Sequence, residues 1–507
     1  MDANKKKIQN LILNNFNKHV KLKTLHNMNT ATLEDKENDL QSIVKLLLNT
    51  YDATVDIYND SGEDKCKGIF FSTPEMRQDV KIWPEIIFID GTYKLTDNDL
   101  TTMVIAVEDG NGRGQIGGIG LLATEERDVL EWMLKVFQRD NEEAFKNVKA
   151  FMTDKDLTER SILKELFPAI PSYICLYHTL KIFKGKVEDP KMRLTKEQQI
   201  EAKMILDRIA RSQTQDQYDE LYYEFCRTSP EQLVEYYNFN WHNITEDWVN
   251  FNYNKNLGNR TNNRVESINA KLKSVLHKRS PTIVMIENFF EWYASHKCES
   301  TFRTANQFLK TCNNTFLNNS LEQLYIDYLT KFASDRVLVE LQNINNILIT
   351  YFNKKTMTCT VADITFLNVT PTSCECALFL SMNLPCKHIF AVRKSFELSL
   401  YDEQLCHIRW TKAYLLNRLQ APEKNLSDNL NDNSTSSIGD QLSNSINTQL
   451  TICDLEKTYG KFVTRTTLEK ICEAYKTNND DFILHKDDDT MKCTVAGDDF
   501  YVVTPTS

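Results

Sequence analysis

Within residues 372–392, TSCECALFLSMNLPCKHIFAV, three cysteines and one histidine fall inside fifteen positions: Cys374, Cys376, Cys386 and His388. The spacing is C-x-C-x9-C-x-H. In extended backbone, residues two apart face the same side, so Cys374 and Cys376 offer two thiolates to one point. Pro385 interrupts the chain, and CKHIFAVRKSF then reads as a helix whose first turn carries Cys386 and His388. Three soft thiolates and one imidazole make a closed tetrahedral donor set, which suits a structural Zn²⁺ rather than a catalytic one. Residues 356–361 and 365–369 form the hairpin in front of it, so the module is expected to be a small ββα zinc finger.

The 13 cysteines are odd in number and scattered, and no secretory context supports disulfides. They are read as reduced, in nucleus or cytoplasm, which leaves some for metal. A chain of 507 residues, 41% of them hydrophobic, is long enough for two to four domains. Its formal net charge of −10 excludes nucleic-acid binding by bulk charge, so any DNA contact must come from a local basic patch. No apolar run approaches the roughly 18 residues a membrane span needs, so no membrane partner is expected.

The organisation follows from the hydrophobic pattern. Residues 1–80 read as an N-terminal helical segment. Residues 81–340 carry an α/β pattern: a strand at 85–95, a hairpin at 101–126 turning on Asp109-Gly110-Asn111-Gly112, a helix at 126–140, a strand at 148–156, a helix, and a strand at 172–178. A helical insertion fills about 190–255, and another helix begins near Arg260. The finger at 355–395 is followed by a helical extension at 396–423. Residues 424–450 are a polar low-complexity linker. In the tail, 451–507, MKCTVAGDDFYVVTPTS (491–507) matches MTCTVADITFLNVTPTS (357–373) at 11 of 17 positions. The second copy stops at Ser507, where its first ligand cysteine would come, so no second metal is expected there.

Three acids stand out against this pattern. Asp90 ends the first strand, Asp154 ends the fourth, and Glu266 lies on the later helix. Asp154 and Asp156 are rival caps for the helix that follows. Carboxylates converging on two divalent ions are what polynucleotidyl transfer requires, and hard oxygen donors suit Mg²⁺ or Mn²⁺. The element order matches a ribonuclease-H-like mixed sheet with an all-helical insertion.

FIDGTYK, FMTDKD, CLYH, NNRVESINAKLK and the cysteine–histidine cluster together resemble the Mutator-like transposases, including the far-red-response and SWIM zinc-finger proteins derived from them. The resemblance spans about residues 60–395. It implies a DDE triad of Asp90, Asp154 and Glu266, with Cys175 and His178 as auxiliary site residues. It also implies a SWIM finger with Cys374, Cys376, Cys386 and His388 as zinc ligands. An N-terminal DNA-binding finger usual in such transposases has no counterpart in residues 1–80.

Seven Lys or Arg against the single acid Glu266 fall between Lys255 and Arg279. Arg260, Arg264, Lys271, Lys273, Lys278 and Arg279 are therefore the expected DNA contacts, beside the metal carboxylates. The functional expectation is a transposase-like DNA-binding protein with a metal-dependent strand cleavage and transfer site. The alternative is a domesticated, non-catalytic nuclear zinc-binding protein that contacts DNA or protein. The expected partners are DNA, further copies of the chain and other nuclear proteins.

Overall fold

The computed structural model describes residues 40–59, 66–312, 320–353, 356–363, 366–420, 483–487, 490–495 and 498–503. It contains two units: Met1–Thr311 with Leu317–Gln420, and Cys312–Phe316 with Ala421–Ser507.

The first unit opens with helix α1 (Leu40–Tyr51), strands β1 (Thr54–Asn59) and β2 (Cys66–Ser72), and helix α2 (Pro74–Ile82). The reading of residues 1–80 as wholly helical is corrected here. TVDIYN and CKGIFFS are rich in β-branched and aromatic residues and pair antiparallel. Thr73 caps α2 by accepting the Met76 amide, with Pro74 in the first turn. Next come β3 (Ile86–Thr92), β4 (Thr101–Glu108), β5 (Gly114–Leu122), α3 (Arg127–Asp140), α4 (Glu142–Phe145), β6 (Ala150–Thr153), α5 (Leu157–Leu166), β7 (Ser172–Ile174) and α6 (Leu176–Val187).

Seven strands form one mixed sheet in the order β1-β2-β5-β4-β3-β6-β7. The pairs β3–β6 and β6–β7 are parallel and the others antiparallel. The central strands are apolar at nearly every position because both faces are covered. Ile86 and Phe88 pack into one core, and Ile87 and Ile89 into the other. Glycine in β5 is required by close approach: a Cβ at Gly118 would meet the Phe70 ring at 2.5 Å. The β4–β5 turn forms where expected. Asp109 accepts the amides of Asn111 and Arg113, and Gly112 takes φ +69°.

Helices α7 (Lys196–Ala210), α8 (Gln215–Thr228) and α9 (Glu231–Asn240) form the insertion, with their own core around Phe225, Trp241 and Trp248. The chain then returns to the sheet through residues 250–262 and helix α10 (Asn263–Val275), followed by α11 (Thr282–Cys312), α12 (Leu321–Tyr328) and α13 (Lys331–Gln342). Val265, Ile268 and Leu272 of α10 join the core on one sheet face, while α2, α3 and α5 cover the other.

The finger comprises β8 (Leu348–Asn353), β9 (Thr358–Ala362), β10 (Phe366–Val369), α14 (Ala377–Met382) and α15 (Lys387–Ser395); helix α16 (Lys412–Gln420) follows. It is larger than the expected ββα unit by one strand and one short helix. In the second unit, β11 (Ile483–Asp487), β12 (Thr490–Val495) and β13 (Asp498–Val503) make a three-stranded antiparallel sheet. The repeated sequence thus recurs as the same meander, but with a shifted hairpin register: Cys359 pairs with Val369, whereas Cys493 pairs with Phe500. Residues 1–39 and the expected linker at 424–450 lie outside the described residues.

Candidate functional site

The parallel pairing of β3 with β6 sets Phe88 beside Met152. Continuing that offset brings Asp90 level with Asp154, just past the end of β6. β6 in turn pairs Thr153 with Ile174 of β7, so Cys175 and the first turn of α6, with His178, open at the same edge. Helix α10 crosses this edge and supplies Glu266. His178 Nδ1 lies 2.6 Å from Asp154 Oδ1 and 3.6 Å from Glu266 Oε1. Cys175 Sγ lies 3.8 Å from Glu266 Oε1. Residues 90, 154, 175, 178 and 266, more than 170 positions apart at the extremes, therefore share one edge of the sheet.

The support around these groups is dense. Asn262, the N-cap of α10, donates its side-chain amide to Ile89 O at 3.0 Å, and its backbone amide to Cys175 Sγ at 3.2 Å. The Leu176 amide donates to Arg260 O at 2.8 Å. Asn269 donates to Asp90 Oδ2 at 2.7 Å. Asn262 and Asn269 escaped the sequence reading. Asn269 had a usable signal, since it stands three residues after Glu266 and so faces the same side of the helix. Asp156 is the cap of α5, accepting the Glu159 amide at 2.8 Å, which leaves Asp154 for the site.

The electrostatics are those of an acid cluster. Burial, then the charges of Asp154 and Glu266, push the Asp90 carboxyl up to about 6. The Asp154 carboxylate, then Cys175, pushes His178 up to about 10. The Glu159 carboxyl is raised well above the usual range by burial and by Asp156, Asp154 and Asp90. A divalent cation would relieve this repulsion; the ligand atoms at this edge that lie within 4.8 Å of one another are those of Asp154, Cys175 and His178.

The second cluster is closed. The ligand atoms of Cys374, Cys376, Cys386 and His388 lie within 4.8 Å of one another. Cys374, Cys386 and His388 are buried. Cys386 and Cys376 occupy the N-cap positions of α15 and α14, and neither side chain bonds the helix amides. His388 turns Nδ1 toward Cys374 Sγ at 3.6 Å and donates Nε2–H to Asp363 Oδ2 at 3.0 Å. Lys387 Nζ also reaches Asp363, at 2.9 Å. Asp363 is therefore the outer-shell carboxylate that fixes the imidazole. Hydrogen bonds from its neighbours hold the Cys376 thiol far below its usual pKa. The Cys374 thiol is held up at about 12 by Cys376, and burial raises Cys386. Three sulfurs and one imidazole nitrogen gathered this closely make a soft, closed donor set, so the residues fit zinc. Cys359 packs in the finger core and Cys406 in the main core.

The basic patch does not act as one surface. Arg264 Nε pairs with the fully buried Glu108 Oε2 at 2.7 Å. Its expected DNA contact is therefore corrected: leaving Glu108 uncompensated would cost more than a surface contact returns. Arg260 uses its backbone oxygen to hold α6, while its side chain remains exposed. Lys271, Lys273, Lys278 and Arg279 are exposed, with Arg279 3.8 Å from Asp99.

Comparison with known families gives one match. Residues 44–172 match the family model for the RNaseH-like domain of zinc finger SWIM domain-containing protein 1/3. The match runs from within α1 to the start of β7, and it includes Asp90 and Asp154. It supports a SWIM-domain protein family and an RNaseH-like fold for this region. The Cys₃His cluster lies outside the matched residues and is an independent feature of the same kind. No curated protein matches the chain.

Proposed function

We propose that this chain is a transposase-like DNA-binding protein of the Mutator-like type, with a divalent-metal site for DNA strand cleavage and transfer. The single observation that carries the reading is the convergence of Asp90, Asp154 and Glu266 at one edge of an RNaseH-like sheet. Bound there, divalent ions would activate an attacking oxygen and stabilise a leaving one. The chain's own residues hold the carboxylates in place: Asn269 orients Asp90, Asn262 ties α10 to β3, and Cys175 ties α10 to α6. Lys271, Lys273, Lys278 and Arg279 offer exposed charge for a DNA backbone. The zinc finger would be structural, and the protein would act in the nucleus.

The test is nicking of supercoiled plasmid and joining of 3′-hydroxyl duplexes by the purified full chain, with Mg²⁺ or Mn²⁺. Metal-dependent products that fall by about 100-fold or more in Asp90→Asn and Glu266→Gln are expected. No product, or equal product from Asp90→Asn, overturns the reading. The diversion of Arg264 to Glu108, in a chain of net charge −10, favours the second reading: a domesticated nuclear protein in which the finger contacts DNA or protein and no cleavage occurs.

A further inference from the structure

Asp154, Cys175 and His178 bring a carboxylate oxygen, a sulfur and an imidazole nitrogen within 4.8 Å of one another, outside the zinc finger. Glu266 Oε1 stands beside this group and outside it, at 3.6 Å from His178 Nδ1 and 3.8 Å from Cys175 Sγ. Ligand atoms around a tetrahedral zinc, bound at about 2.0–2.3 Å, stand roughly 3.3–3.8 Å apart. Two of the contacts already have that spacing. The third, Asp154 Oδ1 to His178 Nδ1 at 2.6 Å, is tighter, and opens by about 0.7 Å to reach it.

A second observation points the same way. Asp154 Oδ1 and His178 Nδ1 are both shielded from solvent, and neither has a hydrogen-bond partner among the described residues. They face each other at 2.6 Å as an ion pair, without a hydrogen bond between them. A buried donor and acceptor normally satisfy each other or a third group. Cys175 Sγ meanwhile accepts the Asn262 amide, the outer-shell contact that supports a metal-bound thiolate. Magnesium does not favour sulfur and imidazole donors, whereas first-row transition ions do.

We propose that Asp154, Cys175 and His178 form a second transition-metal site, with Glu266 beside it, which takes Zn²⁺ in preference to Mg²⁺. The site goes beyond the strand-transfer reading and stands whether or not the chain cleaves DNA. If it does cleave, this position is one of its two ion sites. Asp90 is not among the three donors, which separates the two ideas experimentally.

The experiment is zinc content per chain in the full-length protein after equilibration with buffered Zn²⁺. Two equivalents are expected in the wild type. One is expected in Cys175→Ser/His178→Gln, with an unchanged far-ultraviolet circular dichroism spectrum, and one in Cys386→Ser. Asp90→Asn, which would abolish strand cleavage, should keep both. As a second readout, Co²⁺ is substituted into wild type and into the single variant Cys175→Ser. The difference spectrum should show one thiolate-to-cobalt charge-transfer band with tetrahedral d–d bands. A single zinc equivalent in the wild type, undiminished in the double variant, overturns the proposal, as does a cobalt difference spectrum without the thiolate band.

Discussion

At the residue scale, Asp363 shows how a metal centre depends on a side chain that is not a ligand. It holds His388 through Nε2 and is itself held by Lys387. Removing such a partner lowers metal affinity by about 10- to 100-fold. Asp363→Ala is expected to show that loss in zinc competition against a chromophoric chelator; unchanged affinity would mean the imidazole is fixed by packing alone. The clustering of Cys374, Cys376, Cys386 and His388 was legible from residue type and spacing. Asp363 was not, because it meets His388 only once β9 and α15 have packed together. Arg409 poses the same difficulty. It is buried between Trp83 and Trp410, paired with Glu85, and donates to Glu108 O at 2.8 Å. Nothing in LCHIRWTKAY shows that a charge is buried there. Arg409→Ala leaves the Glu85 carboxylate without its partner and should cost about 3–5 kcal/mol in denaturant unfolding. A loss below 1 kcal/mol would contradict the pairing.

His296 gives a pH prediction. Burial, then the charges of Lys271 and Lys297, depresses its pKa to about 4, and Nε2 has no hydrogen-bond partner among the described residues. An unfolded histidine takes up its proton near 6.5. Between these values the unfolded chain binds more protons than the folded one, so stability falls as pH drops from 6.5 toward 4. His296→Phe, which keeps the stack on Trp292, should flatten the melting temperature over that window. Identical slopes in the two proteins would contradict the assignment.

At the scale of elements, helix α14 couples the cysteine–histidine cluster to the carboxylate edge. It starts at Cys376, and its Ser381 hydroxyl donates to Asn256 Oδ1 at 2.7 Å and accepts the Gly258 amide at 2.8 Å. Trp410 Nε1 donates to Met382 O at the end of the same helix. The loop thus held runs on to Arg260, Asn262 and α10, and so to Glu266. Stripping zinc should therefore speed amide exchange at Gly258 and through residues 256–262. Unchanged exchange there would show that the core positions α10 without the finger. This helix was missed because ALFLSM is too short for a helical period to register. The strands β3 to β7 were readable, since their apolar runs and the Asp109–Gly112 turn carry local signals. β1 and β2 were not, because their pairing depends on the edge offered by β5.

At the scale of the whole chain, the sheet order and the appended Cys₃His finger agree with the RNaseH-like family match. The carboxylate edge follows from that topology, because β6 ends where β3 carries Asp90 and α10 crosses there. Sequence order alone indicated the three acids, but not the charge crowding at their edge, nor the tie of Arg264 to Glu108. The central claim is that this edge binds divalent ions. Anomalous diffraction from crystals of the full chain equilibrated with Mn²⁺ tests it most directly. A peak among the carboxylates of Asp90, Asp154 and Glu266, lost in Asp90→Asn or Glu266→Gln, is the result expected. Ordered carboxylates with no manganese peak between them would contradict it.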